Sequence, residues 1–328
     1  MITLTTSAEM WPYTRPFHIT GKTWTGVDVV LTEARRDGVV GRGEAAGIYF
    51  KDEHVNGLRA QIDALDPLPA ASPRIALLER LPAGGARNAV DCALWELEAR
   101  LARTPVWRLA GLDAVRPLTT TFTLGAETPA AVAANALSAT RATSLKLKLT
   151  GDGQDSERVR QVRAARPDAW IAVDANQGFT RDSLDGLMST LVDANVQLIE
   201  QPFPVGRENW LDGLNSPISL AADESVCDVP DLERIAGRVN YLNIKLDKCG
   251  GLTRGLALAA QARRLGLKIM VGNMGGTSLA MAPAFVLAQF CDFADLDGPT
   301  VLVEDRQPSA VYSDGKLYCP EEVWGGAG

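Results

Sequence analysis

Apolar and polar positions alternate with a period of two through Met1–Phe17 and Gly26–Glu33, in Thr-, Val- and Leu-rich stretches that predict strands, and glycine-rich Gly38–Gly43 reads as punctuation after them. A helical pattern begins at Gly57–Leu65. The clearest helix spans Gly85–Ala102, where Ala89, Cys92, Ala93, Leu94, Trp95, Leu97, Ala99 and Leu101 form an alanine-rich stripe suited to close packing. Pro105 and Gly111 end this α+β unit, and Arg116-Pro117 predicts the crossing into a second one.

From Leu118 the texture changes to short apolar runs separated by helical stretches. The runs are Thr119–Leu124, Ser144–Leu149, Trp170–Asp174, Gln197–Glu200, Ile218–Ala222, Tyr241–Ile244, Lys268–Val271 and Phe293–Leu296, with starts 21 to 27 residues apart. Eight strands alternating with helices at that spacing predict an α/β protein with a parallel (β/α)8-type, TIM-like barrel. After Val301 the sequence becomes alternating and turn-rich again. The expected organisation is therefore an N-terminal capping domain over 1–116, a barrel over 117–300, and a C-terminal segment over 301–328 that packs back on the cap.

Composition narrows the chemistry. The chain has 328 residues, 33 Lys plus Arg against 40 Asp plus Glu, and a formal charge of −7 with no basic run, which argues against a nucleic-acid partner. Its apolar stretches are shorter than the roughly 20 residues a bilayer requires, and the start lacks the pattern of a secretion leader, so a cytoplasmic protein without a membrane partner is expected. Cys92, Cys227, Cys249, Cys291 and Cys319 are scattered without a C-x-x-C pair and read as small buried hydrophobes. With His18 and His54 the only histidines, a His-rich metal site or a Ser-His-Asp triad has little to work with. Carboxylates and lysines must carry the chemistry.

A barrel of this kind places its active site at the C-terminal ends of its strands. Asp174, Glu200 and Asp223 end three successive strands, an all-oxygen donor set suited to a hard divalent cation, with Mg2+ favoured and Mn2+ an alternative. On the preceding strand Lys146 and Lys148 share one face by alternation, and Lys245 ends the sixth strand across the mouth. A lysine beside another cation has its ammonium form disfavoured, which suits a general base. By strand geometry Lys248 points elsewhere and belongs to the following loop. Asp295 and Asp297 end the eighth strand, and Gly272–Ser278 reads as a barrel loop closing over a substrate.

With Leu81–Trp95 and Asn243–Thr253, these residues resemble the enolase superfamily, in its muconate-lactonising-enzyme-like subgroup, over essentially the whole chain. The Asp295-Leu296-Asp297-Gly298-Pro299 segment is similar to that of the dipeptide epimerases, best known for acting on L-Ala-D/L-Glu. The resemblance implies inversion at the α-carbon of the second residue through an ene-diolate. Lys148 and Lys245 exchange the roles of base and acid, Lys146 neutralises the substrate carboxylate, and Asp295 and Asp297 bind its α-ammonium. It also implies murein-peptide recycling, and a homo-oligomer is compatible with it.

The stretch His18–Trp24 departs from the pattern, because dipeptide epimerases of this type carry an arginine there for the substrate's γ-carboxylate. Lys22 could replace it without a bidentate fork, and Trp24 points to a more apolar second side chain. The loop Ala46–Asp52 shares that ambiguity. An o-succinylbenzoate synthase, an N-acylamino acid racemase or a cycloisomerase would share the lysines and metal ligands without needing the aspartate pair. A Schiff-base aldolase would need no metal, and a non-enzymatic ligand-binding scaffold fits two lysines poorly.

Overall fold

The computed structural model describes residues 1–327. Its N-terminal part is an antiparallel sheet of β1 (Thr3–Ile19), β2 (Lys22–Arg36) and β3 (Val39–Ala45), followed by helices α1 (Val55–Asp63), α2 (Pro73–Arg80) and α3 (Gly85–Ala102). The stretch Gly38–Gly43 is thus not only punctuation. Gly38 makes the β2–β3 turn at φ +78, but Gly41 and Gly43 lie inside β3, opposite Ala34 and Thr32. Their lack of a side chain lets α3 lie directly on the strand: a Cβ on Gly43 would stand 2.0 Å from the Ala89 carbonyl oxygen, and one on Gly41 2.2 Å from that of Ala93. Glycine here marks close backbone approach rather than a turn.

Helix α3 is buried on nearly every side, because the sheet covers one flank and the second unit the other. Its polar residues fasten the two together. Asp91 accepts from the Thr253 amide at 2.9 Å and hydroxyl at 2.6 Å, Trp95 Nε1 donates to Thr253 Oγ1 at 2.9 Å, and Arg87 donates to the Cys249 carbonyl at 2.8 Å.

The second unit is a parallel row of eight strands, β5 (Phe122–Leu124), β6 (Ser144–Lys148), β7 (Trp170–Asp174), β8 (Val196–Glu200), β9 (Ser219–Ala222), β10 (Tyr241–Lys245), β11 (Lys268–Gly272) and β12 (Phe293–Ala294), each paired with its neighbours in chain order. A parallel bridge between Thr120 and Ala294 brings the ends of the row together as a barrel. The first expected strand is split. Its start, β4 (Leu118–Thr119), pairs instead with a C-terminal hairpin, β13 (Val311–Ser313) and β14 (Lys316–Tyr318), and the break frees Thr120 and Thr121 to bond the last strand's end.

Helices α5 (Pro129–Ser138), α6 (Asp155–Ala165) and α7 (Arg181–Asp193) follow the first three strands, after the short α4 (Val106–Leu109) at the crossing. After β8 the expected helix is a single 3₁₀ turn, Glu208–Leu211, since Pro202, Pro204, Gly206, Gly213 and Pro217 interrupt any longer run. A 3₁₀ turn, Val229–Asp231, and the one-turn α8 (Leu232–Ile235) follow β9. Helices α9 (Leu246–Cys249), α10 (Leu252–Arg264) and α11 (Ser278–Ala288) complete the wall. Beyond Val301 the chain returns along the N-terminal sheet: the Val303 amide donates to the Pro12 carbonyl at 2.9 Å, and Trp324 Nε1 to the Arg42 carbonyl at 2.8 Å.

Side chains alternate along each barrel strand, so residues two apart share a face. Outward-facing Leu145, Leu147, Ile171, Val173, Ile199 and Leu220 pack under the helices. Ala172, Leu198, Ala221 and Met270 form a separate cluster with Trp170, Tyr241 and Phe293, and these fill the barrel interior. The next inward positions up the strands are polar, and they make the site. No helix among the described residues is long and apolar enough to cross a membrane, and none of the five cysteines is paired.

Candidate active site

Two residues above Ala172, Leu198 and Ala221 stand Asp174, Glu200 and Asp223, fully buried, each offering an oxygen within 4.8 Å of the others. A cavity of about 470 Å³ opens beside them under the N-terminal sheet, ample for a small-molecule ligand. Lys146, Lys148, Lys245, Asp295 and Asp297 line it from the barrel side.

The lysines pair with different carboxylates. Lys148 Nζ donates to Asp174 Oδ2 at 2.6 Å and Lys245 Nζ to Asp223 Oδ2 at 2.6 Å. Lys146 bonds Asp295 and stands 3.5 Å from Glu200 Oε2 and 3.7 Å from Asp174 Oδ2. Lys248 is a correction to the sequence reading. The chain leaves the strand at Lys245 and turns at once into α9, which carries Lys248 back to donate to Asp223 Oδ1 at 2.6 Å. Strand alternation does not apply to a residue that is no longer in a strand.

The sequence reading also missed Asn176, Asn243 and Glu224. Asn243 Nδ2 donates to Glu200 Oε1 at 2.6 Å, the Asn176 amide to Asp174 Oδ1 at 2.9 Å, and the Asn176 side chain to Glu224 Oε1 at 3.2 Å. The alternation that groups Lys146 with Lys148 also groups Asn243 with Lys245, so that signal was present.

The electrostatics show a surplus of buried negative charge. Burial and the neighbouring Asp174 push Glu200 up to about 8, while burial and Asp223 push Glu224 up to about 7. Burial would also raise Asp223, but Lys245 and Lys248 outweigh it and hold it well below the usual carboxylate range. The lowered lysine pKa expected from the sequence is not what the protein's own charges produce. Burial lowers Lys245, yet Asp223 and Glu200 leave it raised, so lowering it requires a cation to share those carboxylates. The donor set fits a hard divalent ion: three buried carboxylates with no nitrogen or sulfur ligand among them, flanked by Asn176 Oδ1 and Glu224 Oε2, buried oxygens without a donor.

At the far rim, Asp297 Oδ2 accepts the Thr123 amide at 2.6 Å, and Asp295 is taken by Lys146 and Thr121. Burial and Asp295 push Asp297 up to about 6. The stretch His18–Trp24 is the tip of the β1–β2 hairpin, with Thr20-Gly21 as its turn, rather than an open loop. Lys22 and Trp24 both line the cavity there. Lys22 is exposed, donates to the Tyr49 carbonyl at 3.1 Å and lies 5.0 Å from that ring's centre; Trp24 packs edge-on to the same ring. Tyr49 comes from the Ala46–Asp52 loop, and Asn273, Met274 and Gly275 of the loop after β11 close another side.

Two family models match the chain: "Mandelate racemase / muconate lactonizing enzyme, N-terminal domain" over 1–111 and "Enolase C-terminal domain-like" over 129–323. The chain is 37% identical to the L-Ala-D/L-Glu epimerase of Escherichia coli (strain K12), over 97% of this chain and 100% of that protein. It is 40% identical to the N-acetyl-D-glutamate racemase of Pseudoalteromonas sp, over 76% and 79%. Among solved structures it resembles an enolase family member from Agrobacterium tumefaciens with homology to dipeptide epimerases, holding sodium and L-Ala-L-Glu, at TM-score 0.95 and 39% identity over 99% and 100%. It also resembles the dipeptide epimerase of Methylococcus capsulatus, complexed with Mg and L-Arg-D-Lys, at TM-score 0.88 and 32% identity over 97% and 96%.

Proposed function

The chain belongs to the mandelate racemase and muconate lactonizing enzyme family of the enolase superfamily, and from that premise we propose that it is a Mg2+-dependent dipeptide epimerase that inverts the α-carbon of the second residue, with L-Ala-L-Glu and L-Ala-D-Glu as the substrate pair. One observation carries the reading. Lys148 on β6 and Lys245 on β10 are four strands apart in a row of eight that curls into a barrel, and each lies 2.6 Å from a different carboxylate of the triad. Two buried amines on opposite sides of one anchoring point are what inversion requires and what a one-sided elimination does not.

Asp174, Glu200 and Asp223 would hold the ion, which when bound supplies Lewis acidity toward the substrate's terminal carboxylate. The chain's own groups do the rest. In one direction Lys148 Nζ, as the free amine, takes the α-proton, and the C–H electron pair is shared into the carboxylate. The Lys245 ammonium then returns a proton to the opposite face, and the two lysines trade roles in the other direction. Lys146, fixed against Asp295, keeps a positive charge beside that carboxylate. Asp297, with one oxygen held by Thr123, offers the other to the substrate's α-ammonium, and Asp295 adds negative charge behind it. Lys22 and Trp24 meet the second side chain at the hairpin tip. This substrate fits a cytoplasmic enzyme of murein-peptide recycling.

A second reading, racemisation of an N-acylamino acid, is favoured by the engagement of Asp295 with Lys146 and Thr121, which leaves Asp297 alone for an ammonium, and by the similarity to the N-acetyl-D-glutamate racemase. α-Proton exchange in D2O with Mg2+, followed by mass spectrometry over L,L dipeptides and N-acylamino acids, separates the two. Deuterium entering L-Ala-L-Glu, with inversion to L-Ala-D-Glu lost in Lys148→Ala and in Lys245→Ala, is the expected result. Exchange only in N-acyl substrates, or in none, overturns the dipeptide assignment.

A further inference from the structure

We infer that Lys248 is a positioning residue that restricts Asp223 to one metal-facing oxygen and thereby sets the preference of the site for Mg2+ over a larger cation such as Ca2+. The inference rests on the metal site proposed above. Lys248 is 1% exposed and does not line the cavity, whereas Lys245 does. Its ammonium has three hydrogens and three acceptors: Asp223 Oδ1 at 2.6 Å, the Asn243 carbonyl at 3.0 Å and the Asp223 carbonyl. A charge so fully engaged, with no route to substrate, is a fixed prop and not a proton carrier.

The same division recurs at each carboxylate of the triad. Asp174 Oδ1 is held by the Asn176 amide, Glu200 Oε1 by Asn243 Nδ2 and Asp223 Oδ1 by Lys248, at 2.9, 2.6 and 2.6 Å. The other oxygen of each faces a lysine of the cavity: Oδ2 of Asp174 faces Lys148, Oε2 of Glu200 faces Lys146, and Oδ2 of Asp223 faces Lys245. The scaffold therefore offers three single oxygens. That suits Mg2+, which demands near-octahedral geometry, and disfavours Ca2+, which takes six to eight oxygens and welcomes bidentate carboxylates. Lys248 is the only one of the three props that carries a charge, and its removal frees Asp223 Oδ1 to join Oδ2 on an ion.

The test is calorimetric titration of chelator-stripped protein with Mg2+ and with Ca2+. Lys248→Met is the main variant. Because it leaves a buried carboxylate short of donors, Lys248→Ala, which admits water to Oδ1, is made beside it, and thermal melts in each ion give a second measure of relative binding. The expected result is a Kd for Mg2+ weakened on the order of tenfold, as for other groups that orient metal ligands, with the Kd for Ca2+ held or tightened. A merely structural role weakens both ions together, and an equal loss for both, or an unchanged ratio in the folded variants, overturns the inference. Failure of the unsubstituted protein to bind Mg2+ overturns the metal site itself and this inference with it.

Discussion

Asp247 accepts the main-chain N–H of Gly47 at 2.9 Å, and through this bond the segment that follows Lys245 is fastened to the loop that brings Tyr49 over the cavity. The same oxygen accepts the Ala46 amide at 3.1 Å. Burial, with Glu53 and Glu44 adding to it against these two amides, pushes Asp247 up to about 7. Because the folded state holds this proton where the unfolded chain, near 3.8, has released it, the contribution to stability is full below about pH 4 and is lost as pH rises through 7. Asp247→Asn keeps the accepting oxygen and removes the titration. Its stability, followed by thermal melts, should therefore gain on that of the unsubstituted protein between pH 5 and 8, by an amount on the order of 2 kcal/mol. Asp247→Ala leaves the buried Gly47 amide and the partly buried Ala46 amide without this acceptor and should cost about 1–3 kcal/mol at every pH. Parallel melting curves for Asp247→Asn and the unsubstituted protein across that range would show that the proton is not held.

The two lysines should fail asymmetrically. Lys148→Ala and Lys245→Ala should each lose roughly 10²–10⁴ in epimerisation, the scale of a positioned acid or base. Each should still exchange the α-proton of one epimer, since the remaining lysine can remove and replace a proton on its own face. Polarimetry gives the inversion and mass spectrometry in D2O the exchange; equal loss of both in both variants would contradict a two-base arrangement.

Asp297 and Asp295 should separate by substrate. Removing a buried partner of a charged group costs about 2–5 kcal/mol, so Asp297→Ala should lower kcat/KM for a dipeptide by about a hundredfold or more while sparing an N-acylamino acid. Asp295→Asn weakens the hold on Lys146 and should impair both substrate types alike. Steady-state kinetics on the two substrates distinguishes these patterns.

Lys22 is exposed, and an exposed ion pair contributes about 0.2–1 kcal/mol. Lys22→Ala should therefore raise KM for L-Ala-L-Glu only about two- to fivefold, with kcat held and an aliphatic second residue unaffected. Trp24→Ala should do the opposite, penalising the aliphatic side chain through lost contact. An unchanged KM for every dipeptide in both variants would remove the hairpin tip from substrate recognition.

The carboxylate triad was legible in the sequence because each member stands two residues beyond an inward apolar or small position, at the end of a run that recurs at barrel spacing, and Lys146, Lys148 and Lys245 because they fall at the ends of runs with the same spacing. Asp174 after Ala172 and Glu200 after Leu198 are the clearest cases. What could not be read depended on where a regular element stops or on distant contacts. Lys248 was placed by extending a strand past its end at Lys245. The helix expected after β8 was inferred from spacing, although Pro202, Pro204 and Pro217 spoke against it. Gly41 and Gly43 resemble turn residues because only α3, some 50 residues onward, explains them.

That contact between glycine and helix makes the N-terminal hairpin a lever. Its fulcrum is the seat of Gly43 on Ala89, opposite Thr32, and its working end is the Thr20-Gly21 tip, where Thr20 Oγ1 donates to the carbonyls of Leu149 and Ala175 at 3.2 and 3.0 Å. From Thr32 to Lys22 the strand measures about 33 Å, at roughly 3.3 Å per residue, so a tilt of about 3° at the base would swing the tip by about 2 Å. A single methyl group at Gly43 has no room except by lifting the strand off the helix. Selection for a different substrate side chain could thus act at Gly43, which does not itself line the cavity, and the residues of the hairpin tip would keep their identities.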